Sequence, residues 1–369
     1  MGGRKAKRRK NGFLTFCKAV CILLLVIAAA GAVVLLFATI AEYRPADREA
    51  AELETAAEGH EPLHEGDTMR VVTWNIGYGA LGDNADFFMD GGKMVNTADV
   101  QRVEENISGM IGGIKDMDAD IVLLQEVDRD SARSHHIPET ARLREALPEY
   151  PDSSFAWNFK TSFVPYPVPP IGKVGSGLLT LSAPQILDAE RVQLPCPFSW
   201  PVRTVNLKRC VVINRIPIED SEKELVVMNL HLEAYDSGEG KVEQTRMLRE
   251  LLETERAAGN YVIAGGDFNQ IFSDVDASAY PVYEGKWQPG VIDAADFSDE
   301  WQLLMDGRVP TCRSLDQPYA GADLSQFQYY VIDGFIMSDN IEVLSLETRD
   351  QGFVSTDHNP VLAEVRLIK

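Results

Sequence analysis

The chain has 369 residues, of which 45% are hydrophobic and 25% are charged, a composition that excludes a largely disordered protein and suits one large domain or two ordinary ones. Residues 1–44 hold eight of the 35 basic side chains and one of the 56 acidic side chains, so the remaining residues carry a net charge of −28. Because so acidic a region repels polyanions at long range, a non-specific nucleic-acid binder is disfavoured.

The N-terminus predicts a membrane anchor. A basic cluster occupies residues 4–10, and residues 19–41 contain no charged side chain. At about 1.5 Å per residue, a helix of this length crosses a hydrocarbon core of roughly 30 Å, whereas the apolar part of a cleavable signal peptide is normally about 7–15 residues long. We therefore predict a cytoplasmic basic segment at residues 1–18 and a transmembrane signal anchor at residues 19–41, with cleavage after the small side chains near Ala41 as the alternative. Since basic residues stay in the cytoplasm, the rest of the chain is expected to be extracellular.

The chain after the anchor is predicted to hold a linker and one domain. Residues 42–66 are rich in alanine and glutamate with few apolar residues, so we expect a stalk that is partly helical at best. The domain then occupies residues 67–369. It holds Cys196, Cys210 and Cys312, and an odd number allows at most one bridge among the three, with Cys196 to Cys210 left open.

Apolar alternation and helical spacing predict the elements of the domain. Gly265 and Gly266 are expected to end the strand before them, because glycine permits a tight turn. Residues 83–93 and the proline-rich residues 164–170 are predicted to be loops. The predicted strands are residues 69–76, 120–127, 153–159, 177–181, 186–192, 203–215, 224–232, 261–264, 329–337, 341–347 and 361–367, and the predicted helices are residues 98–117, 139–146 and 241–258.

Polar side chains recur at or near the ends of these strands. Singly, each has an ordinary explanation, such as a turn asparagine or a structural histidine. Glu126 differs, because a leucine-rich core rarely tolerates an unpaired carboxylate. Oxygen ligands suit a hard cation such as Mg²⁺, Mn²⁺ or Ca²⁺, and histidine beside carboxylates suits acid–base catalysis. Together, the oxygen ligands and the histidines beside carboxylates predict metal-assisted attack of water on a phosphoester. The residues are Asn75, Glu126, Asn229, His231, Asp267, Asn269, Asp333, Asp357 and His358.

Six motifs in order carry a family resemblance: TWNI, LLQEV, NLHL, GDFN, VIDGF and STDHNP. Over residues 69–369 the chain resembles the endonuclease/exonuclease/phosphatase superfamily, which includes deoxyribonuclease-I-like nucleases, neutral sphingomyelinases and inositol-polyphosphate 5-phosphatases. The resemblance implies an α/β fold, a four-layer sandwich of two mixed β-sheets face to face with helices outside. Members often have Arg-Ile-Asp-Tyr where this chain has VIDG at residues 331–334, and this departure weakens assignment to one branch.

The resemblance also implies roles for the site residues. Glu126 corresponds to the principal metal ligand, with Asn75 assisting and Asp357 shaping the metal site, and Mg²⁺ (or Mn²⁺ or Ca²⁺) is the implied cofactor. His358 resembles the general base or a phosphate-stabilising group, and the Asp333 carboxylate orients it.

Further residues of the motifs are expected to contact the substrate or the attacking water. Asp267 and Asn269 resemble the pair that orients the nucleophile, and His231 resembles an acid for the leaving oxygen. Asn229 is a candidate substrate contact. Lys160 and Lys173, which flank the proline-rich loop, are either solvated or attract a phosphate.

These observations predict a membrane-anchored, extracellular, metal-dependent phosphoesterase that works as a monomer. The acidic charge and the membrane tether favour a phospholipid, met at its headgroup, or a small phosphoester over nucleic acid. The alternatives are an extracellular nuclease and a surface binding module that has lost the chemistry. Every catalytic residue type of the motifs is present, which disfavours the inactive module.

Overall fold

The computed structural model of the chain describes residues 2–60, 62–236 and 238–368, except for the side chains of residues 2–12 and 326. These ranges contain four α-helices and eighteen strands. The helices are α1 (Gly2–Ile40), α2 (Val100–Met117), α3 (Glu139–Ala146) and α4 (Glu239–Ala257). The strands are β1 (Arg48–Ala50), β2 (Glu52–Glu54), β3 (Thr68–Asn75), β4 (Ile121–Asp128), β5 (Asp152–Val164), β6 (Gly172–Ser182), β7 (Asp188–Gln193), β8 (Cys210–Pro217), β9 (Glu224–His231), β10 (Tyr261–Asp267), β11 (Gln270–Phe272), β12 (Gly290–Ile292), β13 (Trp301–Leu304), β14 (Cys312–Arg313), β15 (Tyr329–Tyr330), β16 (Asp333–Ser338), β17 (Ile341–Thr348) and β18 (Val361–Leu367).

Two seven-stranded sheets form the centre of the domain. The strand order is β1-β7-β8-β9-β10-β16-β13 in the first sheet and β17-β18-β3-β4-β6-β5-β2 in the second. Each sheet is mixed, because β9 and β10 are parallel in the first and β3 and β4 are parallel in the second, beside antiparallel neighbours.

The sheets pack face to face because their central strands are apolar on both sides. In β4, Leu123 points into the core between the sheets, while Leu124 packs towards the helices. In β10, Ile263 and Val262 divide in the same way. The outer layers are α2 and α3 on the second sheet and α4 on the first. The predicted four-layer α/β sandwich is confirmed.

The apolar face of α2 illustrates how the sequence specifies an outer layer. Val103, Ile107 and Met110 are buried at helical spacing against the second sheet. The helix begins after Asp99, whose side chain accepts a hydrogen bond from the Arg102 amide. Such an N-cap satisfies an amide that has no partner within the helix.

The predicted stalk differs from the structure. Instead of a partly helical linker, β1 pairs with β7 and β2 pairs with β5, so this segment supplies an edge strand to each sheet. Short edge strands need few apolar residues, because they obtain their hydrogen bonds from a neighbour and bury little. A fragment that begins at residue 67 would therefore lack two strands of the fold.

The two glycines before Asp267 also differ from expectation. They do not end the strand, which continues to Asp267. A β-carbon on Gly266 would lie 2.0 Å from the Leu230 carbonyl oxygen, and one on Gly265 would lie 2.6 Å from the Phe335 ring. Glycine is needed here because the neighbouring strands approach too closely for a side chain.

Two predicted strands are shifted or broken. The strand predicted at residues 203–215 begins only at Cys210, after a 3₁₀ turn at Val202–Val205. The strand predicted at residues 329–337 is divided into β15 and β16, and the second piece begins at Asp333.

Helix α1 projects from the domain. Its apolar part spans Phe13–Ile40 and includes an 18-residue stretch with a mean hydropathy of 3.2, none of which is buried, so the helix is long and apolar enough to cross a membrane. The predicted basic cluster at residues 4–10 lies in the part of this helix whose side chains are outside the described residues.

Candidate active site

Several strand ends meet at one edge of the two sheets. Parallel pairing places His231 of β9 opposite Asp267 of β10, and antiparallel pairing places Asp333 of β16 opposite the same Asp267. In the other sheet, parallel β3 and β4 bring Asn75 close to Glu126. A cavity of about 630 Å³ opens over these ends. The predicted site residues that line it are Glu126, His231, Asp267, Asn269, Asp357 and His358.

One carboxylate oxygen lies at the centre of the cluster. The Oδ2 atom of Asp267 accepts a hydrogen bond from Asn75 Nδ2 at 3.0 Å. The same oxygen lies 3.4 Å from His231 Nε2 and 3.8 Å from His358 Nε2. On its other side, the His358 ring places Nδ1 2.9 Å from Asp333 Oδ2. Three predicted residues thus surround the Asp267 carboxylate, and a fourth, Asp333, contacts one of them.

Asn269 holds the opposite oxygen of this carboxylate. Its backbone amide donates to Asp267 Oδ1 at 2.9 Å, and its side-chain amide donates to the Leu232 carbonyl at 3.0 Å. The φ angle of Asn269 is 51°, in the left-handed region that asparagine tolerates better than most residues. The strained turn therefore fixes the orientation of Asp267.

Burial and neighbouring charge move the protonation of these groups. Burial, together with the negative charge of Asp333, raises the pKa of Asp267 to about 7. Burial alone would lower the pKa of His358, but Asp333 and Cys312 together outweigh it and hold that pKa well above its usual value. Burial and then the positive charge of Arg209 lower the pKa of His231 well below its usual value. These directions favour a charged His358 and a neutral His231 at neutral pH.

A bulge in β4 presents Glu126 to the site. The pairing of β4 with β6 shifts register between Leu124 and Val127, and Glu126 within it has a φ of 56°. A non-glycine residue in this region costs roughly 1–3 kcal/mol, a strain that functional sites often retain. Glu126 Oε1 then lies 3.2 Å from Asn75 Nδ2.

The donor set at this end fits a hard divalent cation. Burial raises the pKa of Asp357, and the negative charge of Glu126 adds to the effect. A β-carbon on Gly77 would lie 2.9 Å from Asp357 Oδ1, so glycine leaves this carboxylate its space. Carboxylate oxygens such as those of Glu126 and Asp357 are the ligands that Mg²⁺ and Mn²⁺ prefer, and a cation beside them would offset the negative charge of both. The Asn75 side-chain oxygen accepts from the Gly77 amide at 3.1 Å, so Asn75 would assist such a site only after its amide rotates.

Three arginines line the described cavity wall, Arg133, Arg209 and Arg313, and the sequence analysis singled out none of them. Arg209 is buried and donates to the His231 carbonyl at 3.3 Å, with Glu233 Oε2 3.6 Å away. Arg133 makes two hydrogen bonds to Asp128, at 3.1 and 3.0 Å. Arg133 and Arg209 stand outside the motifs. Arg209 reaches His231 from 22 positions away, whereas Arg133 contacts Asp128 only five positions away, and neither belongs to a motif that marks it as a site residue.

The prediction that Asn229 contacts substrate is wrong. Asn229 is fully buried between the sheets, where its Oδ1 accepts from Gln125 Nε2 at 2.9 Å. Its Nδ2 donates to the carbonyls of Leu124 and Leu179 at 3.3 and 3.1 Å. Because protein partners occupy this amide, its role is to join the two sheets.

The two candidate lysines also lie outside the cavity wall formed by the described residues. Lys173 pairs with Asp130. The Lys160 ammonium lies 4.5 Å from the Trp157 ring centroid, a cation–π contact. Each lysine is engaged with a protein partner outside the cavity, and their phosphate contacts stay a prediction.

The cysteines of the described chain are free. The open Cys196–Cys210 pairing is thus not made, and Cys196 is exposed whereas Cys210 is buried. Cys312 forms a backbone bridge with His358. Its sulfur, a His358 nitrogen and an Asp357 oxygen lie within 4.8 Å of one another, as do ligand atoms of Asp267, Asp333 and His358.

Gly334 accounts for the departure from the Arg-Ile-Asp-Tyr pattern. A β-carbon at this position would lie 2.3 Å from the Leu304 carbonyl oxygen of β13. The tyrosine of other members has no room here, whereas the neighbouring Asp333 keeps its contact with His358.

Comparison with solved structures finds the same fold in several proteins. An endonuclease/exonuclease/phosphatase from Beutenbergia cavernae DSM 12333 is 21% identical, with a TM-score of 0.54, over 82% of this chain and 72% of that chain. A protein of the same description from Bacteroides vulgatus is 16% identical, with a TM-score of 0.52, over 82% and 99%. ANGEL2, described as a 2',3'-cyclic phosphatase, is 15% identical, with a TM-score of 0.50, over 86% and 98%. At these identities the likeness shows the fold alone.

Sequence comparison gives the family. Curated protein sequences give no significant match. The model described as "Endonuclease/Exonuclease/phosphatase family" matches residues 72–314, which is more than half of the chain and includes the strand ends from Asn75 to Asn269. With this match, the four-layer fold and the cluster around Asp267, the chain belongs to the endonuclease/exonuclease/phosphatase family.

Proposed function

We propose that the chain is a membrane-anchored phosphoesterase that uses a divalent cation to hydrolyse a phospholipid or a small phosphoester outside the cell. Members of the family are generally hydrolases of phosphoesters and generally depend on a divalent metal ion. The observation that carries the proposal is the buried cluster in which His358 links Asp333 to Asp267.

In this proposal the cation is held by Glu126, Asn75 and Asp357. Bound there, it would polarise the phosphoryl oxygens and offset the charge that develops in the transition state. The positive charge of His358 would then contact the phosphate directly.

The pKa shifts favour Asp267, not His358, as the group that takes a proton from the attacking water. A general base works best when its pKa lies near the working pH, and the pKa of Asp267 is raised to about 7. His358, whose pKa lies well above its usual value, is already protonated and stabilises the phosphate. Of the two roles that the resemblance implies for His358, the phosphate-stabilising one is thus favoured.

His231 and Arg209 complete the phosphate contacts. Because its pKa lies well below the usual value, His231 is neutral and serves as a hydrogen-bond donor, which does not favour it as an acid for the leaving oxygen. The buried Arg209 behind it adds a fixed positive charge at the cavity wall.

The N-terminal segment supports the membrane location, and the net charge of the remaining chain supports the substrate class. Helix α1 is long and apolar enough to span a bilayer, and the basic residues before it favour a cytoplasmic N-terminus. The net charge of −28 after residue 44 disfavours DNA, which needs cationic contacts along its backbone.

A substrate panel tests the proposal. The full chain in detergent, with Mg²⁺ or Mn²⁺, would be given plasmid DNA, sphingomyelin, phosphoinositides and small phosphate esters. We expect hydrolysis of a lipid or a small ester that stops in excess EDTA. Efficient nicking of plasmid at physiological salt, without release from any lipid or ester, would favour the nuclease, and inactivity on every substrate would favour the binding module.

A further inference from the structure

The mouth of the active-site cavity is apolar and aromatic. Its wall includes Phe88, Tyr166, Phe198 and Val202. The rings of Phe88 and Tyr166 contact each other edge to face, with centroids 5.8 Å apart, which joins the loop at residues 83–93 to the proline-rich loop. Tyr166 is nevertheless 68% exposed. A phosphate site for small polar esters does not require so apolar an entrance.

Further apolar side chains lie around this mouth but do not line the cavity. They belong to the proline-rich loop, to the end of β5 before it and to the segment before β8. Val168 is 94% exposed, Trp200 is 53% exposed and Phe163 is also exposed. We call Phe163, Tyr166, Val168, Trp200 and Val202 the rim. Contiguous apolar groups of this kind mark a surface that contacts a protein or a membrane.

The end of the anchor helix contacts the rim directly. The Trp200 indole donates a hydrogen bond of 3.0 Å to Thr39 Oγ1, one residue before α1 ends at Ile40. Trp200 lies between Phe198 and Val202, which line the cavity. One short segment therefore contacts the membrane helix and forms the cavity wall.

The connection from α1 to the domain is fixed. Glu42 is only 3% exposed in its side chain and lies 3.1 Å from Lys208 Nζ, 3.3 Å from Arg203 Nε and 3.0 Å from Arg44 Nη2. Beyond it, β1 joins the first sheet. The domain is thus attached to α1 through ion pairs and strand pairing, not through a free stalk.

These contacts determine which surface meets the bilayer. The uncharged run ends at residue 41, so the Thr39–Trp200 contact lies where the hydrocarbon region ends. Tryptophan and tyrosine concentrate at this level because their rings are amphipathic. A rim that is fixed to the end of a membrane-spanning helix faces the lipid of that same membrane.

We propose that the rim rests in the headgroup layer of the membrane that α1 spans, and that the cavity receives the phosphoester of a lipid that moves in laterally from this membrane. The apolar mouth then contacts the part of the lipid next to its phosphate, while the headgroup lies over Asp267 and His358. The inference deepens the proposed function and rests on its hydrolytic site, but the membrane contact can be tested without catalysis.

The first test measures the environment of the rim. Val168→Cys would be labelled with the polarity-sensitive fluorophore NBD in the full chain, with Cys17, Cys21 and Cys196 replaced by serine. After reconstitution into phosphatidylcholine vesicles, the emission of the label should be shifted to the blue compared with the same fluorophore in water. Lipids that carry a doxyl group near the headgroup should quench it.

The matched control is Val242→Cys, on the exposed side of α4, where the native side chain is 66% exposed. Its label should remain in water and escape the doxyl lipids. Equal emission and equal quenching at positions 168 and 242 would overturn the proposal, whether or not the protein is active.

The second test compares two substrates with the same reacting bond. One is a fluorogenic phosphodiester with a hexadecyl chain, presented in phosphatidylcholine vesicles that contain the protein, and the other is its soluble methyl analogue. Phe163→Ser combined with Val168→Asp should lower kcat/KM for the hexadecyl substrate about tenfold, which corresponds to about 1.4 kcal/mol, and leave the methyl substrate unchanged.

Val242→Asp combined with Leu344→Ser is the control, since both native side chains are exposed elsewhere, and it should change neither rate. Equal loss on both substrates, or no loss on the hexadecyl substrate, would overturn the rim's role in substrate entry. If the unaltered chain hydrolyses neither substrate, hydrolysis of a lipid phosphodiester fails, the substrate panel above decides the remaining esters, and the labelled position 168 still decides the membrane contact.

Discussion

His358 Nδ1 lies 2.9 Å from Asp333 Oδ2, and the opposite nitrogen of the same ring faces Asp267 at 3.8 Å. The two carboxylates are register partners on adjacent strands. One imidazole therefore joins two buried acids, and the charged ring is stabilised by both. This arrangement makes the protonation of His358 depend on Asp333, which leads to the first prediction.

Asp333→Asn should lower kcat by on the order of 10²-fold, because a neutral amide no longer keeps His358 charged. The fall in activity at high pH should also begin at a lower pH than in the unaltered chain, since the pKa of His358 decreases. His358→Ala should lose at least as much activity and show no such shift. The measurement is kcat against pH on a soluble diester.

Asp188→Asn, at an exposed carboxylate at the start of β7, is the control and should leave the profile unchanged. Unaltered kcat in Asp333→Asn, with an unshifted profile, would remove the pair from the mechanism.

In the metal-free protein, the contribution of Asp267 to stability should fall as the pH rises from about 4 to about 7. The folded pKa of Asp267 is about 7 and its unfolded value is 3.8, so the native state binds more protons across this interval and stability falls with pH. The raised pKa of His358 acts in the same direction, because its stabilising charge is present at low pH and is lost above its folded pKa.

Thermal melting in EDTA over this range measures the effect. Compared with the unaltered chain, Asp267→Asn should lose less melting temperature between pH 4 and pH 7, since the amide does not titrate. The same change of melting temperature with pH in the unaltered chain and in Asp267→Asn would contradict the raised pKa of Asp267.

The sequence predicted most of the site because its residues stand at strand ends. Once β9 and β10 are parallel neighbours, His231 and Asp267 must lie side by side. Asn229 shows the limit of this reasoning. It shares a strand with His231, but lies two residues deeper, where the second sheet covers it. Strand alternation gives the face of a side chain and not its depth.

Other features depend on contacts between distant parts of the chain. The edge strands β1 and β2 have little apolar pattern of their own and form because β7 and β5 offer free edges. Arg209 became a site residue because its guanidinium reaches the His231 carbonyl. Gly265 and Gly266 resemble a turn in sequence, and only the proximity of Phe335 and Leu230 explains them.

Glu126→Gln should reduce activity on the order of 10²-fold at a fixed Mg²⁺ concentration by weakening the metal site. In the unaltered chain, EDTA should abolish turnover and Mg²⁺ or Mn²⁺ should restore it. Metal at 100 times the dissociation constant of the unaltered chain should also stabilise that chain by about 2.7 kcal/mol. The same metal concentration should stabilise Glu126→Gln less. Full turnover in excess EDTA would rule out the cation.

Asn229→Ala should destabilise the fold without reaching the chemistry. Removing the amide leaves the Leu124 and Leu179 carbonyls without their side-chain donor, which costs roughly 1–3 kcal/mol. We expect a lower melting temperature and, at temperatures where the variant is folded, an unchanged kcat.

Asn269→Gly should have the opposite effect. Because glycine tolerates the φ of 51°, the melting temperature should change less, while kcat should fall. A reversed pattern would return Asn229 to the substrate contacts.

The orientation of the chain in the membrane can be tested with the same exposed position of α4. In cells that express the full chain with Cys196→Ser, Val242→Cys should react with a membrane-impermeant maleimide added from outside. The reason is that positive residues before a span remain in the cytoplasm, so α4 lies on the other side. The chain without Val242→Cys measures background labelling of Cys17 and Cys21 in α1. Labelling of position 242 only after the cells are permeabilised would reverse the topology. Recovery of a chain that lacks residues 1–41 would show instead that the apolar helix is cleaved, and the domain would then act without its anchor.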